Sequence, residues 1–181
     1  GWQTSTPEEQ GMDSAALARL VEFGARQSMD SILIVRHGKI VLDAYYAPYS
    51  ADMPHVVNSV TKAVIGTLTS FALKDGLLTG TDQPALPFFG ERTILNLDDR
   101  KKAITLQGLL DMTSGLTWEE GLGEAPPLSV IEMERSGKWI EFILNRQMAA
   151  TPGDDFNYNS GNPHLLSAIL AKVTGMSTED Y

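Results

Sequence analysis

The sequence predicts an α+β fold from the order of its patterns: one helical run, two β-rich runs joined by a short turn, then helical runs and loops to the end. Of 181 residues, 43% are hydrophobic and 20% charged, which supplies a compact core and excludes a disordered segment.

The first helix follows Pro7-Glu8-Glu9 and Gly11-Met12-Asp13, with Asp13 as the expected N-cap and Leu17, Leu20, Val21 and Phe23 at helical spacing. Ile32 to Val35 and Ile40 to Leu42 read as two strands of a hairpin closed across Arg36-His37-Gly38-Lys39. A polar connector, Ala47 to His55, leads to Asn58-Ser59, where a long helix starts and runs through Val64, Ile65, Leu68 and Phe71 to a stop at Gly76. Residues 76 to 104 lack sustained periodicity and read as an extended excursion over a surface. Thr105 is placed to cap a short helix through Leu106, Leu109 and Leu110, stopped by Thr113-Ser114-Gly115. A loop with Gly121, Gly123, Pro126 and Pro127 precedes helical runs near Ser129 to Arg135 and Lys138 to Met148, the second burying Trp139, Phe142 and Ile143. After Thr151-Pro152-Gly153 and a loop from Asp154 to Gly161, Leu165, Leu166, Ile169 and Leu170 define a final helix ending at Gly175.

The ending carries a signal of its own. Ser177-Thr178-Glu179-Asp180 has the Ser-x-x-acid form of a helix start, one residue before Tyr181. Two strands alone are marginally stable unless further strands or helices cover them. The expectation is therefore the N-terminal part of a longer protein, completed by its C-terminal remainder, as the same chain or a second one.

Charge and composition remove several function classes. With 14 Lys and Arg against 23 Asp and Glu the net charge is -9, which opposes a phosphate backbone, so no nucleic-acid partner is expected. The absence of cysteine excludes disulfides, thiolate metal sites and a cysteine nucleophile. No stretch is long and apolar enough to span a bilayer, and the Gly1-Trp2-Gln3 start lacks the pattern of an export signal.

Ser59-Val60-Thr61-Lys62 puts a hydroxyl and an amine at i and i+3 on the first turn of a helix, about 5 to 6 Å apart at Cβ, so Lys62 can reach the Ser59 hydroxyl. A lysine acting as general base must be neutral, which requires burial and the positive helix N-terminus to depress it. The Ser59 backbone N–H, at the same helix start, suits an acyl oxyanion. A helix-capping serine beside a solvated lysine would present the same motif. In the loop Pro152-Gly153-Asp154-Asp155-Phe156-Asn157-Tyr158-Asn159-Ser160-Gly161-Asn162, Tyr158 is a candidate to accept the serine proton and return it to a leaving group, against the alternative of a packed tyrosine.

Three segments together, Ser59-x-x-Lys62, then Thr105-Leu106-Gln107-Gly108-Leu109-Leu110-Asp111-Met112-Thr113-Ser114-Gly115-Leu116, then Pro152-Gly153-x-x-Phe156-x-Tyr158 with Leu165-Leu166, resemble the serine β-lactamase and penicillin-binding-protein superfamily. The tyrosine motif is similar to its class C β-lactamase, D-alanyl-D-alanine peptidase and esterase branch. The resemblance implies a β-lactamase/transpeptidase-like fold: an antiparallel sheet flanked by helices, beside an all-helical domain, with the site in the cleft between them. Residues 1–58 would supply the N-terminal helix and hairpin of the α/β domain, and 59–181 the helical domain, with the C-terminal strands missing. It implies Ser59 as the acylated nucleophile, Lys62 as its base partner and Tyr158 as shared proton carrier. No cofactor or metal is implied. The resemblance fits a periplasmic or secreted protein, while the residues leave the compartment open.

This sequence departs from the family pattern at three places. Tyr158-Asn159-Ser160 has Ser160 where the common Tyr-x-Asn motif has the asparagine that holds the substrate amide, so Ser160, Asn159 and Asn162 are the candidates for substrate binding. The third motif, a Lys or His followed by x-Gly on a strand that normally gives the second oxyanion donor, is absent. Met112 stands where the family often has histidine.

Other chemistries lack their residues. There is no Gly-x-Ser-x-Gly elbow, no His-Glu-x-x-His and no phosphate loop, and His37, His55 and His164 are scattered. Asp154-Asp155 and Glu119-Glu120 read as solvated loop charges. The expected activity is a carboxylesterase or amide hydrolase acting on a small ester or amide. The alternatives are a D-alanyl-D-alanine carboxypeptidase or β-lactamase, and a non-catalytic ligand-binding member of the fold.

Overall fold

A computed structural model describes residues 1–121 and 126–181. The loop reading at Gly123 lies outside the described residues. The chain forms two compact units, Gly1–Val56 and Val57–Tyr181.

The first unit is a small mixed sheet with one helix. Asp13 caps α1 (Ser14–Gly24) as expected, its carboxylate accepting from the Ala15 N–H at 2.8 Å. Strands β2 (Ser31–Arg36) and β3 (Lys39–Tyr45) form the antiparallel hairpin, closed by His37 at φ 49° and Gly38 at φ 74°. Two left-handed residues are what a tight hairpin turn demands, and a glycine supplies one at no steric cost. A third strand, β1 (Gln3–Thr4), pairs in parallel with β3, giving the order β1-β3-β2. The sequence predicts only two strands, because the two polar residues of β1 carry no alternation. Leu17 and Val41 are buried, whereas Phe23, assigned to the apolar face of α1, is exposed.

The second unit is helical and organised about its last helix. Within it α2 (Val60–Lys74), α4 (Leu106–Leu110) and α6 (Trp139–Leu144) pack against α7 (Gly161–Thr174). Ile65, Ala72, Leu106, Leu109, Ile143, Leu165, Leu166, Ile169 and Leu170 interlock in its core. The expected stop of α2 at Gly76 is made at φ 73°, with Leu77 N–H returning to the Ala72 carbonyl. Thr105 caps α4 through the Gly108 N–H at 3.1 Å, and Gly175 ends α7 at φ 73°.

Residues 76 to 104 are not a surface excursion. Leu78, Ala85, Phe89 and Ile104 are buried, and the segment holds a 3-10 turn at Leu86–Phe89 and the helix α3 (Asp99–Lys102). Lys101, fully buried, donates to the carbonyls of Leu95 at 2.8 Å and Leu144 at 3.0 Å. The helix α5 (Leu128–Ser136) matches its pattern, but α6 stops at Leu144, short of Met148. Its next residue, Asn145, turns its side chain to the Leu95 N–H at 2.7 Å, and Met148 bridges to Leu116 instead. Trp139, expected on the buried face of α6, is 41% exposed. Among the described residues no helix is long and apolar enough to cross a membrane.

Candidate active site

Ser59 occupies the N-cap position of α2, directly after Asn58 at φ 47°. A serine at this position ordinarily accepts a backbone N–H of the first turn. Here it makes no such cap bond, because Val60, Thr61 and Lys62 N–H groups bond the carbonyls of Val57, Asn58 and Ser59 in tight i to i−3 turns. The Ser59 Oγ is left for side chains. It accepts from Lys62 Nζ at 2.9 Å and from the Tyr158 hydroxyl at 2.7 Å. Lys62 Nζ also lies 4.9 Å from the Tyr158 ring centroid, over its face. The structure therefore brings Ser59, Lys62 and Tyr158 to one point, 99 residues of chain notwithstanding.

Tyr158 reaches that point because its loop is tied to the segment that follows α4. The Gly153 N–H donates to the Thr113 carbonyl at 2.8 Å, and the Asn157 N–H to the Met112 carbonyl at 2.9 Å. Met112 thus contributes its backbone, held at φ 61°, and its sulfur lies 3.9 Å from Asn162 Nδ2. Burial raises the Tyr158 pKa, but hydrogen bonds to Ser59 and Lys62 and the Lys62 charge outweigh it, so the phenol is held below the usual tyrosine range.

The three candidates for substrate binding separate. Ser160 lines a cavity of about 220 Å³ together with Thr61, Lys62, Ile65, Pro163, His164 and Ser167. Asn159 and Asn162 do not line it. Asn159 is buried, its Oδ1 accepting the Gly161 N–H at 2.8 Å, and Asn162 is buried, accepting from Ser114 Oγ at 2.9 Å. Both stabilise the start of α7. Burial lowers the His164 pKa, so its imidazole is neutral at the cavity wall.

Sequence reasoning missed Glu120. It is not a solvated loop charge: Trp118 Nε1 donates to it at 2.7 Å, Ser160 N–H at 2.8 Å and Ser160 Oγ at 2.6 Å. A tryptophan two residues before an acid is the available signal, and it is a weak one.

Comparison with known proteins bears on family and fold. The chain is 27% identical over 161 residues to "Protein flp" of Staphylococcus aureus (strain N315), covering 83% of this chain and 31% of that protein. It is 26% identical over 187 residues to the 6-aminohexanoate-dimer hydrolase of Paenarthrobacter ureafaciens, covering 95% of this chain and 46% of that one. The chain thus spans less than half the length of these curated relatives. Among solved structures, "EstCE1, a hydrolase with promiscuous acyltransferase activity" superposes with a TM-score of 0.66 at 21% identity, covering 92% of this chain and 49% of that one. A D-stereospecific amidohydrolase from Streptomyces sp. gives 0.66 at 22% identity, covering 93% and 52%. These likenesses show the β-lactamase/transpeptidase-like fold. The Beta-lactamase family matches residues 15–181, and the chain belongs to that family, within the serine β-lactamase and penicillin-binding-protein superfamily.

Proposed function

We propose that this chain carries the nucleophile of a serine hydrolase that forms an acyl-enzyme on Ser59 and cleaves a small ester or amide. The observation that carries this reading is the Ser59 Oγ within hydrogen-bond reach of both Lys62 and Tyr158. Tyr158 is the group disposed to take the serine proton, since hydrogen bonds to Ser59 and Lys62 and the Lys62 charge hold its phenol below the usual tyrosine range. As the Ser59 Oγ bonds to the substrate carbonyl carbon, its proton passes to the Tyr158 oxygen, and the oxyanion faces the Ser59 N–H at the helix start. Tyr158 then protonates the departing alkoxide or amine as the carbonyl–leaving-group bond breaks. In the second half a water attacks the acyl carbon, gives its proton to Tyr158, and that proton returns to Ser59 as the acyl–oxygen bond opens.

One further feature supports an ester or amide over a β-lactam. The Ser160 hydroxyl, at the place of the family's amide-holding asparagine, is already committed to Glu120. The test is turnover of short p-nitrophenyl esters, small amides and a chromogenic cephalosporin by the complete protein, beside its Ser59→Ala variant. Ester or amide turnover lost in the variant is the expected result. Equal turnover in both would overturn the reading, and faster cephalosporin turnover would move the substrate class to β-lactams.

A further inference from the structure

Two segments clasp each other on either side of Tyr158. Before it, Asn157 Nδ2 donates to the Trp118 carbonyl at 3.1 Å. After it, Ser160 is held by Glu120 twice, through its N–H on Oε2 and its hydroxyl on Oε1. The same Oε2 accepts the Trp118 indole N–H, so one half-buried carboxylate joins the ring edge of Trp118 to the backbone two residues beyond Tyr158.

We infer that Glu120 is a positioning residue, whose carboxylate fixes the Tyr158 loop so that the phenol oxygen stays within hydrogen-bond distance of Ser59. Geometry is its contribution. The charged or titratable groups acting on Tyr158 are Lys62, from α2, and Glu120 itself, and the Glu120 charge opposes ionisation of the phenol. A neutral side chain of the same shape therefore replaces it. Glutamine in this place keeps an acceptor toward Trp118 and the Ser160 N–H, and its amide N–H can donate to the Ser160 hydroxyl, which rotates to accept. Alanine keeps none of the three bonds.

The inference rests on the reading of Tyr158 as the proton partner of Ser59, so its test needs a readout besides reactivity. The chain is prepared with 13C at tyrosine Cζ, the Tyr158 signal is assigned by its loss in Tyr158→Phe, and it is titrated in wild type, Glu120→Ala, Glu120→Gln and Ser160→Ala. The rate at which a fluorophosphonate labels Ser59 is measured alongside. In Glu120→Ala the Tyr158 midpoint is expected to lie above that of Glu120→Gln, which removes the same charge, and labelling to fall by about 10- to 100-fold. Glu120→Gln is expected to keep the labelling rate close to wild type, and Ser160→Ala, which retains the backbone N–H bond and is the milder change, to fall between. A Tyr158 midpoint in Glu120→Ala no higher than in Glu120→Gln, or an unchanged one in Ser160→Ala should the first variant not fold, would overturn the inference, as would labelling in Glu120→Gln as impaired as in Glu120→Ala. A wild-type chain that fails to label while the titration shifts as expected would sink the hydrolase reading and leave Glu120 as the residue that positions Tyr158.

Discussion

Ser59 stands at the head of α2 with its hydroxyl turned away from the helix and toward two proton-carrying side chains. A capping serine exchanges one backbone bond for about 1 kcal/mol of helix stability, which is the contribution this position forgoes. The separation of tasks makes Tyr158→Phe informative, because it removes one oxygen and leaves the ring over Lys62. Labelling of Ser59 should fall by about 10² to 10⁴-fold in that variant while the melting temperature stays near wild type. Since the phenol is held below its usual range, the wild-type labelling rate should rise with pH as Tyr158 loses its proton and level off below pH 10. A rate still climbing through pH 10 would show that an unperturbed group controls the reaction. Ser59, Lys62 and Tyr158 are legible in the sequence because the chemistry ties them to short motifs. Glu120 is not, since its partners come from residue 118 and from residue 160, and no local spacing records that meeting.

At the scale of elements, the structure shows which local signals survive packing. Asp13 and Thr105 cap their helices and Gly76 and Gly175 end theirs, because a cap or a left-handed stop is decided within four residues. Segments whose burial is set by distant partners are not legible this way. Residues 76 to 104 have no helical period, yet their apolar side chains enter the core one at a time, and α6 ends early because Asn145 is captured by Leu95 and Asn96. Gly115 shows what a single junction demands: at φ 75°, a Cβ there would meet the Ala150 carbonyl oxygen at 2.5 Å. Gly115→Ala should cost about 2 kcal/mol or more in chemical denaturation, from the left-handed backbone and the overlap together. Lys101 makes a second case. Burial lowers its pKa, so the unfolded chain binds that proton more tightly than the folded one. Stability should therefore rise with pH in the window between its lowered folded value and 10.5, and Lys101→Met should lose that rise. The same variant should cost about 1 to 3 kcal/mol at neutral pH, by denaturant titration, because it orphans two buried carbonyls.

For the whole molecule, the α+β reading follows from the order of patterns, and the resemblance rests on three motifs in sequence rather than on any one of them, while the Beta-lactamase family matches residues 15–181. The short strand β1 escapes such a reading, because its two residues become a strand only by adding to β3. Every side chain of the candidate site, Ser59, Lys62, Glu120, Tyr158 and Ser160, belongs to the unit Val57–Tyr181, whose core is built on α7. The groups that would activate Ser59 in the proposed reaction therefore all lie within that unit. The most direct test is the intact mass of the chain and of Ser59→Ala after exposure to a fluorophosphonate. The account predicts one adduct on the wild type and none on the variant; no adduct on either, or the same adduct on both, would contradict it.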